Sequence, residues 1–477
     1  MMIMPQTEPS LLFQRLWIVG FSGHRKVAEP EEVKAVIRQE LDSLAASLNG
    51  ELIGLSSAAS GADLLFLEAC AEAGYRTIVL LPFERERFAE DFPDNAEWQR
   101  AAAAMDAALW CETTPGNEKA PAAYHVVNRE MLDLADRMIF LWDGQPARGL
   151  GGTGEVVIEA GERNIPSRII DAESLTPRWQ SGEAPLGSSD TSFHDLPAAA
   201  TVSSLFEKLD ARASASAPRS RWFAAGSMSI NHIATFVQAS LLALSLSKEV
   251  GGLIKFGLAT IAACLPWVGA RMRLQERWVS DRVRAELLRS LLASHEPSSP
   301  LHPPALDLFE RDQAFLRSAA IRLIPERKGW EAAAKNYLEE RLNGQIRYLQ
   351  TKGDQAKKRM QVFGRLFSVA SYGAIIFAGI ALMVNSFDYR VADLWQRWAI
   401  GFLPAVLPGI AAWSLAMISV FEFKRRASLY WQLVEELQRL RPKIAQAKCA
   451  SAASSAIHQI ERLLLNELWE WQGPRRK

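Results

Sequence analysis

Over the first third of the chain, short uninterrupted apolar runs alternate with longer stretches in which apolar residues recur at helical spacing. Leu16–Gly20 (LWIVG) is such a run, closed by glycine, and Glu51–Leu55, Thr77–Leu81 (TIVLL), Arg137–Trp142 (RMIFLW) and Pro166–Ile170 follow it. Between them Val33, Val36, Ile37, Leu41, Leu44 and Leu48 mark a helix over Glu31–Leu48, and Gly61–Ala73, Asn128–Ala135 and Gly154–Arg163 read as further helices. Strands that are apolar on both faces belong in a parallel sheet covered by helices on each side. The pattern predicts a doubly wound, Rossmann-like α/β domain over residues 16–172, after an N-terminal tail of residues 1–15.

Residues 173–220 then gather Ser, Ala, Pro and Gly, as in TPRWQSGEAPLGSSDTS and ARASASAPRS, and read as a linker with one short helix near Val202–Leu209. From Trp222 onward the apolar stretches lengthen: Ile230–Leu246, Leu253–Ala270, Leu366–Val384 and Trp398–Phe421. A helix crosses a bilayer with about 20 apolar residues. The last two stretches qualify outright; Gln238 and Lys255 interrupt the first two. Arg219, Arg221, Arg271, Arg273 and Arg277 flank the first pair, and Lys357, Lys358, Arg359, Lys424, Arg425 and Arg426 flank the second. Cationic residues collect on the cytoplasmic side of membrane helices, so both pairs read as hairpins that enter and leave on that side, with Trp395 and Trp398 at an interface. The expected architecture is four transmembrane helices in two hairpins with long cytosolic helices: a first membrane module at 221–295, a linker at 296–325 and a second module at 326–477. The order of elements repeats, and Cys264-Leu265-Pro266 aligns with Val406-Leu407-Pro408.

Composition narrows the classes. Lys+Arg and Asp+Glu are both 54, giving no net charge, which argues against a nucleic-acid partner. Cys70, Cys111, Cys264 and Cys449 lie far apart, so neither a disulfide framework nor a metal site is expected. MMIMPQTEPS lacks the basic and apolar regions of a signal peptide.

Candidate chemistry sits in three turns, each after a predicted strand: Gly20-Phe21-Ser22-Gly23-His24-Arg25, Ser56 to Asp63, and Gly149 to Glu155. Small residues let backbone N–H groups approach an anion, and in an open parallel sheet such turns gather at the carboxyl ends of the strands. The implied ligand is a nucleotide or nucleotide-sugar. His24 and Arg25 either reach a phosphate or are solvated; Asp63 either takes a ribose hydroxyl or caps its helix; Arg129 and Glu130 are helix-surface charges unless they face the cleft. Within the membrane stretches His232, Gln238 and Lys255 are candidate pore-lining positions, Lys255 alternatively snorkelling to an interface.

GFSGHR, SGAD, ADRMIFLWDG and GGT, in that order on these elements, resemble the SLOG superfamily, which includes relatives of the DNA-processing protein DprA and the LOG phosphoribohydrolases. The resemblance implies a pocket for a nucleotide-derived ligand lined by Gly20, Ser22, Gly23, Ser60, Gly61, Asp63, Gly151, Gly152 and Thr153, with His24, Arg25, Arg129 and Glu155 as further candidates. Asn128-Arg129-Glu130-Met131 is similar to the arginine part of the LOG catalytic motif, but Glu155 stands where threonine belongs and Ile158 where the catalytic glutamate belongs, with Glu159 adjacent. The departure favours a binding module with no catalytic residue over a hydrolase.

Downstream, WVSDRVRAELLRSL (Trp278–Leu291), YLEERLNGQIRYL (Tyr337–Leu349) and ELWEW (Glu467–Trp471) resemble the SLATT family of two-helix membrane effectors, over about 221–295 and 326–472. Such effectors accompany SLOG domains and nucleotide-signal synthases in bacterial conflict systems. The resemblances imply an inner-membrane, multi-pass antiphage effector with cytoplasmic termini. It would sense an ADP-ribose-type or cyclic-nucleotide messenger and oligomerise into a pore or membrane lesion, causing abortive infection. Its expected partners are the messenger, membrane lipid, other copies of itself and a separate messenger synthase, with no cofactor or metal. Two alternatives stay open: a membrane-held LOG-type or NAD-consuming enzyme, and a nucleotide-regulated channel or transporter.

Overall fold

The computed structural model describes residues 13–114, 120–147, 149–181, 191–244, 248–271, 274–327, 329–387 and 392–471. They form two compact units, one from Met1–Val202 with Pro300–Arg327, the other from Ser203–Ser299 with Lys328–Lys477.

The first unit is built on a seven-stranded sheet. Its strands are β1 (Leu16–Gly23), β2 (Glu51–Ser56), β3 (Arg76–Leu81), β4 (Trp110–Thr113), β5 (Arg137–Trp142), β6 (Ser167–Asp171) and β7 (Pro177–Trp179), in the order β4-β3-β2-β1-β5-β6-β7. All neighbours are parallel except the short edge strand β7, antiparallel to β6. The helices are α1 (Pro30–Ser47), α2 (Ala62–Ala73), α3 (Arg85–Ala89), α4 (Asn95–Ala107), α5 (Ala120–Leu134) and α6 (Thr153–Glu162). Because side chains alternate across a strand, β1 sends Val19 and Phe21 to one face and Leu16 and Ile18 to the other. On the first face α1 and α2 supply Ile37, Leu41, Leu65 and Phe66. On the second, α5 covers β1–β3 with Val127, Met131 and Leu134, and α6 covers β5 and β6 with Val156, Val157 and Ala160. The chain runs outward from β1 to β4 and returns to pair β5 with β1, so the order reverses between those two strands. Beyond the predicted elements the sheet has β4 at one edge and β7 at the other.

The second face is completed from far along the sequence. Residues 296–325, expected as a linker, instead contain helix α10 (Gln313–Arg322), and Pro300–Arg327 belongs to the first unit. Leu301, Ile321 and Ile324 bury themselves among Ile53, Leu55, Ile78 and Leu80. Polar anchors hold this return segment: the Leu16 N–H donates to Ser318 Oγ (3.0 Å), and Arg317 donates to the Leu134 carbonyl (2.7 Å). Arg322 pairs with Glu51 (2.5 Å) and covers the Phe13 ring. The amphipathic run Phe315, Leu316, Ala319, Ala320 and Ile321, rather than the Pro/Ser-rich text before it, decides the structure here.

The second unit is all-helical. Its helices are α7 (Val202–Ala243), α8 (Lys248–Arg271), α9 (Leu274–Ser294), α11 (Trp330–Asn336), α12 (Asn343–Ser386), α13 (Asp393–Trp395), α14 (Leu403–Val420), α15 (Phe423–Ala445) and α16 (Ala450–Trp471). Tyr337–Leu342 and Gln396–Phe402 are π-helical turns, which join α11 to α12 and α13 to α14. The linker expected over 173–220 is overtaken at Val202, where alanine-rich sequence enters the helix α7 instead of staying loose. Its first turns are tied to α9 by charge: Arg212 is bidentate on Asp281 (3.0 and 3.2 Å), and Asp210 accepts from Arg282 and Arg289.

Among the described residues three helical segments are long and apolar enough to cross a membrane: Glu249–Val268, Trp330–Ser386 and Asp393–Ala445, each with an 18-residue stretch whose mean hydropathy reaches 1.5, 2.0 and 1.8 respectively. The fourth expected span, Ile230–Leu246, is not among them. Asn231, His232 and Gln238 lower its hydropathy, and residues 245–247 lie outside the described residues. Its helix still packs with the others: Ser227 Oγ donates to the Ala262 carbonyl of α8 (2.6 Å), and the Trp413 indole of α14 donates to Ser229 Oγ (3.1 Å). The two Leu-Pro sites match in packing as well as in sequence. A Cβ added to Gly226 of α7 would stand 4.0 Å from Leu265, and one added to Gly373 of α12 would stand 3.2 Å from Leu407.

Candidate ligand site

The reversal of strand order between β1 and β5 makes a topological switch point at the carboxyl ends of those strands, the place where open α/β sheets form their ligand crevice. The first two turns meet there. The Ala62 N–H donates to the His24 carbonyl (3.0 Å), and Gly61, at φ +87°, passes so close to the Arg25 carbonyl that a Cβ would stand 2.2 Å from its oxygen. Glycine is therefore demanded by both dihedral and space. The loop after β5 joins them, because the Asp143 N–H donates to His24 Nε2 (3.0 Å). The Arg25 guanidinium lies 4.8 Å from the centre of the Tyr124 ring of α5, and the Tyr124 hydroxyl donates to Asp91 (2.7 Å). The third turn packs on the same stretch of α5: the Gly151 carbonyl accepts from Asn128 Nδ2 (2.8 Å), and a Cβ on Gly151 would meet the backbone of His125.

Asp63 is the buried pivot beneath this surface. It accepts from Ser57 Oγ (2.7 Å) and from the Gly23 N–H (3.3 Å), tying the first turn to the second. Burial raises its carboxyl to about 6, against the opposing pull of those hydrogen bonds. At 5% exposure Asp63 is buried and organises the turns.

Two turns already hold a carboxylate of their own chain. Glu97 of α4 accepts from the Gly61 N–H (2.9 Å) and from Ser60 Oγ (3.0 Å). Glu155 accepts from the Gly151 N–H (2.7 Å) and faces His125 Nδ1 (3.2 Å). The N–H groups expected to receive an anion at these turns are held by carboxylates of the chain itself.

The remaining candidates divide. Ser22 and Thr153 are buried beside the crevice, and Gly152 is the residue before α6. Gly20 lies within β1, where a Cβ would stand 2.3 Å from Met138 Sδ, so its lack of a side chain serves strand packing. Arg129 is outside the crevice, 58% exposed and 3.5 Å from Glu159. It is the middle rung of a ladder between the parallel helices α5 and α6: His125–Glu155, Arg129–Glu159 and Asp133–Arg163. Glu159 also pairs with Arg163 (2.5 Å), so both carboxylates near the catalytic-motif position are engaged. Tyr124, His125, Glu97 and Asp91 stand outside the sequence motifs, and Asn128 enters them only beside Arg129. For Tyr124, His125 and Asn128 the visible signal is a polar cluster early in α5, N-terminal to Arg129.

In the second unit His232 lines a cavity of about 210 Å³ between α7 and α14, with Ser229, Ile233, Phe236, Gly409 and Trp413. Gln238 is half-buried on α7, and Lys255 is exposed on α8. Of the three expected pore residues, only His232 lines a described cavity. Among the described residues no three His, Cys, Asp or Glu side chains converge as a metal-ligating group.

The module of long apolar helices has a known counterpart. Residues 337–471 match the family model of the SMODS and SLOG-associating 2TM effector domain 1. The SLATT match runs from the π-turn at Tyr337 to the end of α16 and takes in two of the candidate spans. The match to a two-helix membrane effector domain, together with apolar helices of spanning length, marks this as a membrane protein. No curated protein is similar enough to the chain to be matched with it.

Proposed function

We propose that the chain is a membrane effector of a bacterial conflict system, whose sheet domain senses a nucleotide-derived messenger and drives the SLATT helices to permeabilise the membrane. The observation that carries the sensing half is the crevice at the β1/β5 reversal, where three turns bring together His24, Arg25, Gly61 and Asp143 with the ring of Tyr124. An aromatic face beside a guanidinium, next to turn amides that already receive carboxylates, suits a base and its phosphate. A phosphate entering at Gly61 or Gly151 displaces Glu97 or Glu155, so those acids set a threshold that only an anion with several contacts overcomes. Residues 16–172 resemble SLOG domains, which supports the ligand class. The SLATT match supports the membrane output. The packing of α7 on α8 supports a first hairpin made like the second, and the flanking Lys and Arg support cytoplasmic termini.

The test is calorimetric titration of the full chain in nanodiscs with AMP, NAD, ADP-ribose, its cyclic isomers and cyclic oligonucleotides. One intact ligand should bind, with affinity lowered at least tenfold by Arg25→Ala and raised by Glu155→Gln. At about 100 times its dissociation constant, the ligand should stabilise the chain by roughly 2.7 kcal/mol. It should also release dye from liposomes carrying the protein. If none binds, the sensor reading fails; release of adenine from AMP favours a LOG-type enzyme; leakage without ligand favours a channel.

A further inference from the structure

Glu461 of α16 is fully buried, and its two partners, which make three hydrogen bonds to it, both come from one π-helical turn. Arg341 donates to it through Nε (3.0 Å) and Nη2 (2.8 Å), and Tyr337 donates its hydroxyl (2.7 Å). Exposure of the ionic side chains is 9% and 0%. A buried ion pair adds little net stability over an apolar pair of similar volume; its attested use is to fix one register against others. Here the register in question is legible. A π-turn holds one residue more than an α-turn in the same helical path, and α11, the turn and α12 form a single helix, Trp330–Ser386, that runs into a candidate span.

We propose that the Tyr337–Arg341–Glu461 node is a lock on the rotation of α12. If the turn relaxes to α-helix, the extra residue takes its own step, and everything downstream rotates by about 100° and advances about 1.5 Å. Each residue then occupies the place of its successor. On α12 two close approaches depend on glycine: a Cβ on Gly353 would stand 3.2 Å from the Trp431 indole of α15, and one on Gly373 would stand 3.2 Å from Leu407 of α14. Rotation brings Lys352 and Tyr372 to those places. Neither side chain fits the space, so α12 must separate from α14 and α15. The locked turn holds the span pair closed, and release of Glu461 opens it. The lock does not depend on what the sheet domain binds.

The experiment uses the full chain in proteoliposomes with Gly373→Cys and Leu407→Cys, the disulfide between them being quantified by mass spectrometry after digestion. The apolar pair Arg341→Met with Glu461→Met removes the lock while keeping the volume filled, and should slow formation of this disulfide at least tenfold. Deleting Glu340, which is exposed, from that double variant removes the extra residue and should restore the parent rate. An unchanged rate in the double variant overturns the proposal. So does failure of the deletion to restore it, which would mark the node as ordinary packing.

Discussion

At Asp63 burial and hydrogen bonding pull in opposite directions, and burial wins. Its carboxyl is raised to about 6, so the folded state binds a proton more tightly than the unfolded chain. The associated stability is complete below about pH 4 and is lost as pH rises through about 6, amounting to about 3 kcal/mol. Asp63→Asn should abolish that loss, seen as urea unfolding of the first unit by hydrogen exchange at pH 4 and pH 7. A pH-independent wild type would contradict the burial. Gly61→Ala tests the neighbouring contact: a positive φ and a carbonyl 2.2 Å from the new Cβ should together cost about 3 kcal/mol in the same assay. Asp63 was legible in the sequence as a residue of interest, but its role was not. A carboxylate at the start of a helix reads equally as ligand contact or cap, and the long-range partners it takes here, the Ser57 hydroxyl and the Gly23 N–H, leave no mark on the local sequence.

Between elements, ion pairs of similar length should differ widely in weight. The α5–α6 ladder is partly solvated: Arg129 is 58% exposed and Asp133 62%. Breaking its middle rung with Arg129→Ala should cost no more than about 1 kcal/mol. The pair between Arg168 of β6 and Glu40 of α1 (2.6 Å) is 17% and 6% exposed, and Glu40→Ala strands a buried guanidinium. That variant should lose about 3 kcal/mol, measured by the urea midpoint. The strands β1, β2, β3, β5 and β6 were legible because each is apolar on both faces, whereas β4, with the polar ends Glu112 and Thr113, carries no such signature. The sequence pattern marks the helix α5 only from Asn128 onward because Ala120-Pro121-Ala122-Ala123 lacks periodicity. The crevice was legible as three turns, yet its occupants Glu97 and Tyr124 were not, since long-range partners leave no mark on local pattern.

For the whole molecule, the path of the chain matters more than any single contact. It leaves the sheet unit at Val202, returns at Pro300 and leaves again at Arg327, so the segment 203–299 is inserted between two parts of one core. Ile321→Ala, 142 residues after the end of β7 at Trp179, should destabilise the sheet unit by about 3 kcal/mol. The natural fragment to test for independent folding is therefore not the first third of the sequence. Co-expression of 1–299 and 300–477 as separate chains should give a complex that survives purification in detergent, because Leu301, Ile321 and Ile324 of the second chain complete the hydrophobic face begun by the first. A break in the covalent chain would leave the protein whole, reassembled by complementation. The same arrangement means that no single proteolytic nick before Pro300 could shed the sheet domain from its membrane helices.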